Sequence, residues 1–426
     1  MDVKLYKKTG VDLSFTAPPS KSYSHRALIC AALADGPSEI LSPLFSDDIS
    51  ITCRGLSALG VELSRSDGSI LVEGTGGVFP DMGEVTIDCG NSGTSLRFLT
   101  TLSLLSPSDV LLTGSRRMME RPIGGLADAI MQSGGVIRYF GEEGCPPLRI
   151  SGEFIGGKVV VDASKSSQFI SSLMLCGPYS DIPLEIMPKG SVASRSYIDI
   201  TADVMKSFGA DVVLNTDGCW EIKQGTYSSG KYHVEGDYSS ASYLFATAAV
   251  CGGSVTVNNL NPASVQGDFR FLEALLCMGC SISYGESSVR VVSEGILKGI
   301  EIDMSSCPDV VQTLAAVCVF AKTRSIISGI SHLKYKESDR IDAVRRMVEG
   351  CGAGFEEAGD DTIIITPGDL HGFELHPEDD HRTAMSGAVI GLGTGDVTIK
   401  DAECVSKSYP GFWDDLMEAG LLEEWF

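Results

Sequence analysis

Lys21 and Arg26 in "SKSYSHRAL", Arg121 in "MERPIGGL", Lys336 and Arg340 in "LKYKESDRIDAV", and Arg382 in "DDHRTAM" stand at or just before runs that read as helix starts. The positive end of a helix dipole lies at its N-terminus, so each such cation opposes the dipole by roughly 0.3–1 kcal/mol. For any one of them, a solvated surface charge is an equal explanation. Together they point to bound phosphate or carboxylate, because the free N–H groups of a helix start and the fork of a guanidinium bind the same anions.

Neutral donors accompany the cations. "GNSGTSL" offers Asn91, Ser92, Gly93 and Thr94 as a small-residue turn whose backbone can approach an anion closely. "KSSQF" adds Ser166, Ser167 and Gln168, and "SRSYIDIT" adds Ser194 and Tyr197. Capping accounts for one hydroxyl per helix, not for consecutive ones. Two acids lie among these groups: Asp309 follows Pro308, and Glu337 is beside Lys336. A first-turn carboxylate needs no function and neither does an ion pair, yet both acids become candidates for proton transfer if they face the anions.

The elements that must position these groups repeat. "LSALGVELS", "IMQSGGVIRY", "VMKSFGADVVL", "ALLCMGCSISY", "VEGCGAGFEE" and "LMEAGLLEE" each read as a helix end, a glycine stop and a strand start. The aligned stops are Gly60, Gly135, Gly209, Gly279, Gly352 and Gly420, at a period of about seventy residues that signals repeated units. A small-residue apolar helix precedes each, among them "SHRALICAALA", "SSASYLFATAAVC" and "HRTAMSGAVIGLG". β-Branched runs such as "VTIDC", "KVVVDA" and "TIIIT" supply strands between the helices. The expectation is an α/β protein of six units, three per domain, with a domain change near "SSGKYHVEGDYSS".

Composition narrows the ligand. The 426 residues are 43% hydrophobic and 21% charged, enough for two buried cores. A formal net charge of −23 disfavours nucleic acid and anionic membrane, so an anionic small molecule must be held by a local basic cluster. The 13 cysteines are odd in number and scattered through apolar runs, the use made of free thiols in a reducing cytosol. Cys277 and Cys280 form a CxxC with no second pair to complete a metal site. "MDVKLYKKTG" has no signal-peptide pattern, and no apolar run spans a bilayer, so a soluble cytoplasmic protein is expected. "GTYSSGKY" nearly matches a phosphate-binding loop, but it ends in Tyr232 and leads into the strand-like "YHVEG".

"PPSKSYSHRAL", "GNSGTSLRFL", "ERPIGGL", "SSQFISSLML", "SYIDIT", "EGDYSSASY", "KESDRID", "DDHRTAM" and "KSYPGFWDDL", in this order, resemble the 5-enolpyruvylshikimate-3-phosphate synthase family over essentially the whole chain. The resemblance implies a two-lobed inside-out α/β barrel of six βαβαββ repeats with the active site in the interlobe cleft. It implies an N-terminal lobe at 20–234 on the shikimate 3-phosphate side, and a C-terminal lobe formed by 1–19 and 235–426 on the phosphoenolpyruvate side. The implied reaction moves an enolpyruvyl group from phosphoenolpyruvate to the 5-hydroxyl of shikimate 3-phosphate, with no metal or organic cofactor, in a cytoplasmic monomer of chorismate biosynthesis.

Carried onto this chain, the resemblance assigns shikimate 3-phosphate to Lys21, Ser22, Arg26, Ser166, Ser167, Gln168, Ser194, Tyr197, Asp309 and Lys336. Phosphoenolpyruvate falls to Lys21, Asn91, Gly93, Arg121, Gln168, Arg340, Arg382 and Lys407. Asp309 and Glu337 form the implied proton-transfer pair, with Lys21 sharing in it, and His332 is left outside the site. Two alternatives compete. A sister transferase acting on a UDP-amino sugar has a reactive Cys in the loop before its Arg-Pro pair, where "TGSRRMMERP" has none. A non-enzymatic repeat protein that binds anions needs the cations but neither acid.

Overall fold

The computed structural model describes residues 1–423. The chain divides into two compact units, one running from Pro19 to Val234, the other joining Met1–Pro18 to the chain from Glu235 onward. Each unit has its own apolar core.

Helices of two kinds alternate along the chain. In the first unit they are α1 (Lys21–Leu33), α2 (Asp47–Ala58), α3 (Gly93–Leu102), α4 (Gly124–Gln132), α5 (Gln168–Cys176) and α6 (Ser196–Ser207). In the second they are α7 (Tyr238–Cys251), α8 (Arg270–Met278), α9 (Val311–Cys318), α10 (Arg340–Gly350), α11 (His381–Thr394) and α12 (Phe412–Glu418). The odd-numbered helices are buried nearly all round: all residues from Tyr23 to Leu33 of α1 and from His381 to Gly393 of α11 are covered. α3 packs on α5, and α7, α9 and α11 pack on one another.

Small hydroxyl residues make that packing tolerable. Thr100, Ser103 and Thr247 donate to carbonyls four residues back, on Leu96, Leu99 and Tyr243. Others tie one buried helix to the next: Thr101 Oγ1 lies 2.6 Å from Ser172 Oγ, Ser242 Oγ lies 3.1 Å from Thr313 Oγ1, and Gln312 donates to Thr383 at 2.7 Å. The "apolar" helices of the sequence are therefore cemented by polar pairs that leave few hydroxyls unsatisfied.

The second repeat shows the unit plainly. Strand Glu84–Asp88 leads through α3 to strand Asp109–Thr113, which it pairs in parallel, and α4 then leads to the hairpin Gly135–Tyr139 and Leu148–Gly152, which closes the sheet antiparallel. Among the described residues, five such sheets have four strands, and the sixth has three. The first repeat takes its leading strand from the far end of its unit, with Lys231–His233 parallel to Pro37–Leu41. Correspondingly, Val11–Thr16 pairs with Gly253–Asn258, and Val3–Leu5 pairs with Val397–Ile399. The near-match to a phosphate loop is accounted for here, since Lys231 opens a strand.

The sixfold repetition read from the glycine stops is the repetition that folds, with one correction. Gly60, Gly209, Gly279, Gly352 and Gly420 take positive φ after their helices, but in the second repeat the left-handed residue is Gly134 (φ 95°), and Gly135 already belongs to the strand. In a "GG" pair, either residue can supply the missing Cβ that the stop requires.

Candidate active site

In the unit Pro19–Val234, several helix starts meet. Lys21, Gly93 and Gln168 are the first residues of α1, α3 and α5. Lys21 Nζ is 3.2 Å from Asp48 Oδ2 at the start of α2, with both side chains largely buried. Ser95 of α3 donates to the Asp48 carbonyl at 3.2 Å. Gln168 donates to Thr94 Oγ1 at 2.9 Å and accepts from Arg97 Nη1 at 2.8 Å. The positive ends of these dipoles thus share one region, and cations are added to it.

Gly93 explains why that region tolerates no side chain. A Cβ there would lie 2.4 Å from Arg121 Nη2 and 2.6 Å from Arg97 Nη1. Arg121, buried, donates from Nη1 to the Asn91 carbonyl at 3.0 Å. Two guanidinia therefore flank the turn Asn91–Gly93, whose only substituent at the closest point is hydrogen. Ser166 and Ser167 are buried just before α5, where Ser166 Oγ accepts the Gln168 N–H at 3.2 Å.

Arg26 lies differently from the expectation. It sits in the second turn of α1 and folds back, donating to Ser22 O at 2.9 Å, Tyr197 O at 3.0 Å and Thr201 Oγ1 at 2.7 Å. Burial pushes its pKa down to about 10. Ser22, Arg26 and Tyr197 form a second group in this unit. Ser194 takes a left-handed φ of 56° and its carbonyl accepts from Tyr197, in the turn that leads into α6.

The other unit gathers the acids. Asp309 stands in a 3-10 turn, Pro308–Val310, ahead of α9, while Glu337 precedes α10 and Asp380 caps α11. Arg340, 1% exposed, spreads its guanidinium over all three: Nη1 to Asp309 Oδ1 at 2.9 Å, Nη2 to Glu337 Oε2 at 2.7 Å, and Nε to Asp380 Oδ2 at 3.0 Å. Arg382 reaches Asp309 Oδ2 at 2.7 Å, the Asp309 carbonyl at 2.9 Å and Ser239 Oγ at 2.6 Å. Burial by itself would weaken Arg340's hold on its proton, but the charges of Asp380, Glu337 and Asp309 outweigh it and raise the pKa above the ordinary value. Lys336 directly precedes Glu337 in the chain. Lys407 is buried at the end of the 3-10 turn Ala402–Lys407. His332 is buried nearby in sequence, and its pKa is pushed down to about 3 by burial first and by Lys336 second.

Among the participants that escaped the reading of the residues are Asp48, Arg97, Asp380, Ser239 and Tyr243, whose hydroxyl accepts from Arg382 Nη1 at 3.4 Å. Arg97 carried a signal, being a cation inside the apolar run "SLRFL", and so did Asp380, two residues before Arg382. Asp380 is fully buried and accepts from Arg340, from Ser338 Oγ at 2.8 Å and from the Arg382 N–H at 3.0 Å.

The description of one protein family fits this chain: a model of "EPSP synthase (3-phosphoshikimate 1-carboxyvinyltransferase)" matches residues 6–416. Among curated proteins named 3-phosphoshikimate 1-carboxyvinyltransferase, that of Methanoculleus marisnigri is 53% identical over 99% of this chain and 100% of its own length. That of Methanoregula boonei is 50% identical over 98% and 99%. One from Yersinia pestis is 40% identical over 95% of each chain. The solved EPSP synthase of Acinetobacter baumannii superimposes with a TM-score of 0.81 at 24% identity, covering 99% of this chain and 98% of that one.

Proposed function

The chain belongs to the EPSP synthase family, and from that premise we propose how its own residues carry out the transfer of an enolpyruvyl group from phosphoenolpyruvate to the 5-hydroxyl of shikimate 3-phosphate. In this reaction the hydroxyl oxygen adds to C2 of phosphoenolpyruvate, its proton passes to a base, and C3 takes a proton from an acid to become a methyl group. The tetrahedral intermediate then expels phosphate as C3 gives a proton back. The products are the enolpyruvyl ether and inorganic phosphate.

The groups assigned to shikimate 3-phosphate are Ser22, Arg26, Ser166, Ser167, Ser194 and Tyr197, with Asp309 and Lys336 for the ring hydroxyls. Those assigned to phosphoenolpyruvate are Asn91, Gly93, Arg121, Arg340, Arg382 and Lys407. Lys21 and Gln168 serve both. Asp309 takes the 5-hydroxyl proton and Glu337 serves C3, with Lys21 sharing the proton traffic.

One observation carries this assignment: the two acids proposed for proton transfer are held by the two arginines proposed for phosphoenolpyruvate. A carboxylate clamped by guanidinium is a poor base, because the neighbouring charge stabilises its ionised form. Phosphoenolpyruvate brings a carboxylate and a phosphate that compete for the same forks. Taking Arg382 and part of Arg340 for itself, the substrate releases Asp309 and Glu337, while the buried and triply bonded Asp380 stays and keeps Arg340 in place. Binding thereby raises the basicity of the groups that must move protons.

The free cysteines support a cytoplasmic location, and no helix among the described residues is long and apolar enough to cross a membrane. We read the enzyme as a monomer acting on small molecules, with no nucleic-acid or membrane partner. Phosphate release from phosphoenolpyruvate, measured with and without shikimate 3-phosphate, tests the function. Release that requires the co-substrate is expected, and release that ignores it, or none, refutes it.

A further inference from the structure

His25 is fully buried on α1, one turn beyond Lys21, and the mechanism above makes no use of it. Its Nδ1 is 2.8 Å from Thr52 Oγ1 on α2. Thr52 Oγ1 is in turn 2.8 Å from Ser95 Oγ on α3, and Ser95 Oγ is 2.7 Å from Ser92 Oγ, the N-cap of α3 beside Gly93. Ser95 also reaches the carbonyl of Asp48, whose carboxylate holds Lys21. The ring's other nitrogen, Nε2, is buried with no hydrogen-bond partner among the described residues.

One distribution of protons satisfies these contacts. A carbonyl only accepts, so the single Ser95 hydroxyl proton goes to Asp48 O, and Ser95 must accept from both Thr52 and Ser92. The Thr52 proton is then committed to Ser95, and His25 Nδ1 must donate to Thr52. Nε2 is left as a bare lone pair. The opposite tautomer would break the Ser95–Asp48 bond or the Thr52–Ser95 bond, and would bury an Nε2–H with no acceptor, at a cost of about 1–3 kcal/mol.

We propose that His25, as the neutral Nδ1–H tautomer, heads a hydroxyl relay through Thr52 and Ser95 that positions the Asn91–Gly93 turn against Lys21 for phosphoenolpyruvate. His25 is a positioning residue: it touches no substrate in this assignment, but it joins α1, α2 and α3 through side chains rather than through backbone. Burial, which pushes its pKa down to about 3, keeps the ring neutral throughout the working range of pH. The inference rests on the assignment of Gly93 and Lys21 given above.

Two arms test it. Nitrogen-15 NMR of histidine-labelled wild-type protein should show His25 Nδ1 protonated and Nε2 unprotonated, unchanged between about pH 5 and 8. An Nε2–H tautomer, or titration within that range, overturns the relay. In kinetics, His25→Ala and Thr52→Val should each raise KM for phosphoenolpyruvate about tenfold while moving KM for shikimate 3-phosphate less than about threefold. His25→Asn, whose amide N–H can stand near Nδ1, should restore most of the loss. Lower thermal stability with unchanged KM in all three variants overturns the inference, leaving His25 a packing residue. Should His25→Ala fail to fold, Thr52→Val and the NMR spectrum decide. If wild-type protein shows no phosphate release dependent on shikimate 3-phosphate, the assigned function fails, and the tautomer alone decides the relay.

Discussion

Arg382 Nη2 lies 2.7 Å from Oδ2 of Asp309, so the cation assigned to the substrate's charge is bonded to the acid assigned to the acceptor's proton. Arg382 is only 5% exposed, so the contact is a buried pair rather than a surface accident. Arg382→Lys keeps the charge but loses the fork that spans Asp309 and Ser239. KM for phosphoenolpyruvate should rise about tenfold or more, with calorimetric binding of shikimate 3-phosphate altered less than about threefold.

Glu337 is bonded by Arg340 and is 11% exposed, within reach of solvent and of a ligand that displaces it. Glu337→Gln keeps the shape and removes the exchangeable proton. Turnover should fall about a hundredfold or more with both substrates still bound, the scale of a general acid or base. Unchanged turnover in stopped assays removes Glu337 from the mechanism.

Asp380 is the fixed anchor of the same network. Asp380→Asn leaves Arg340 with less countercharge in a buried place, and breaking such a pair costs about 3–5 kcal/mol. Urea unfolding at neutral pH should show a loss of that order. A loss below about 1 kcal/mol would mean that Asp309 and Glu337 hold Arg340 unaided.

Gly93→Ala puts a methyl group 2.4 Å from Arg121 Nη2 and 2.6 Å from Arg97 Nη1, so both guanidinia must give way. KM for phosphoenolpyruvate should rise about tenfold. Equal kinetics in the two proteins would show that Arg121 does not approach the substrate.

Acid should unfold this protein partly through its neutral histidines. Burial lowers His25 and His332 to about 3 each, against about 6.5 in the unfolded chain. The unfolded state therefore binds more protons between those values, and stability is full above about pH 6.5 and declines as pH falls toward 3. At pH 5 the loss is about 2 kcal/mol for each ring. Chemical unfolding from pH 7 to pH 5 should show it, and His332→Asn should remove about half.

The helices and their glycine stops were legible because both follow from local rules: apolar runs bury, and a left-handed residue favours glycine. The cations were legible because they break a local rule, the sign of the helix dipole. The sequence points to Gly135 as a stop where the structure uses Gly134, because two adjacent glycines satisfy the same rule. Asp48 was not legible, since it acquires meaning only from a partner 27 residues away, and the signals at Arg97 and Asp380 become specific only through partners 71 and 40 residues away. The assigned roles of Lys21 and Arg121 rest on the family resemblance, and their helix positions alone left a surface charge equally open.

Running the transfer in deuterium oxide tests the central claim most directly. Addition followed by elimination makes C3 of phosphoenolpyruvate a methyl group for a moment, so the product's vinyl carbon should carry deuterium, and Glu337→Gln should suppress that label along with turnover. A product formed with its vinyl carbon free of deuterium would contradict the account, because it would mean that the C–O bond changed hands without any proton reaching C3.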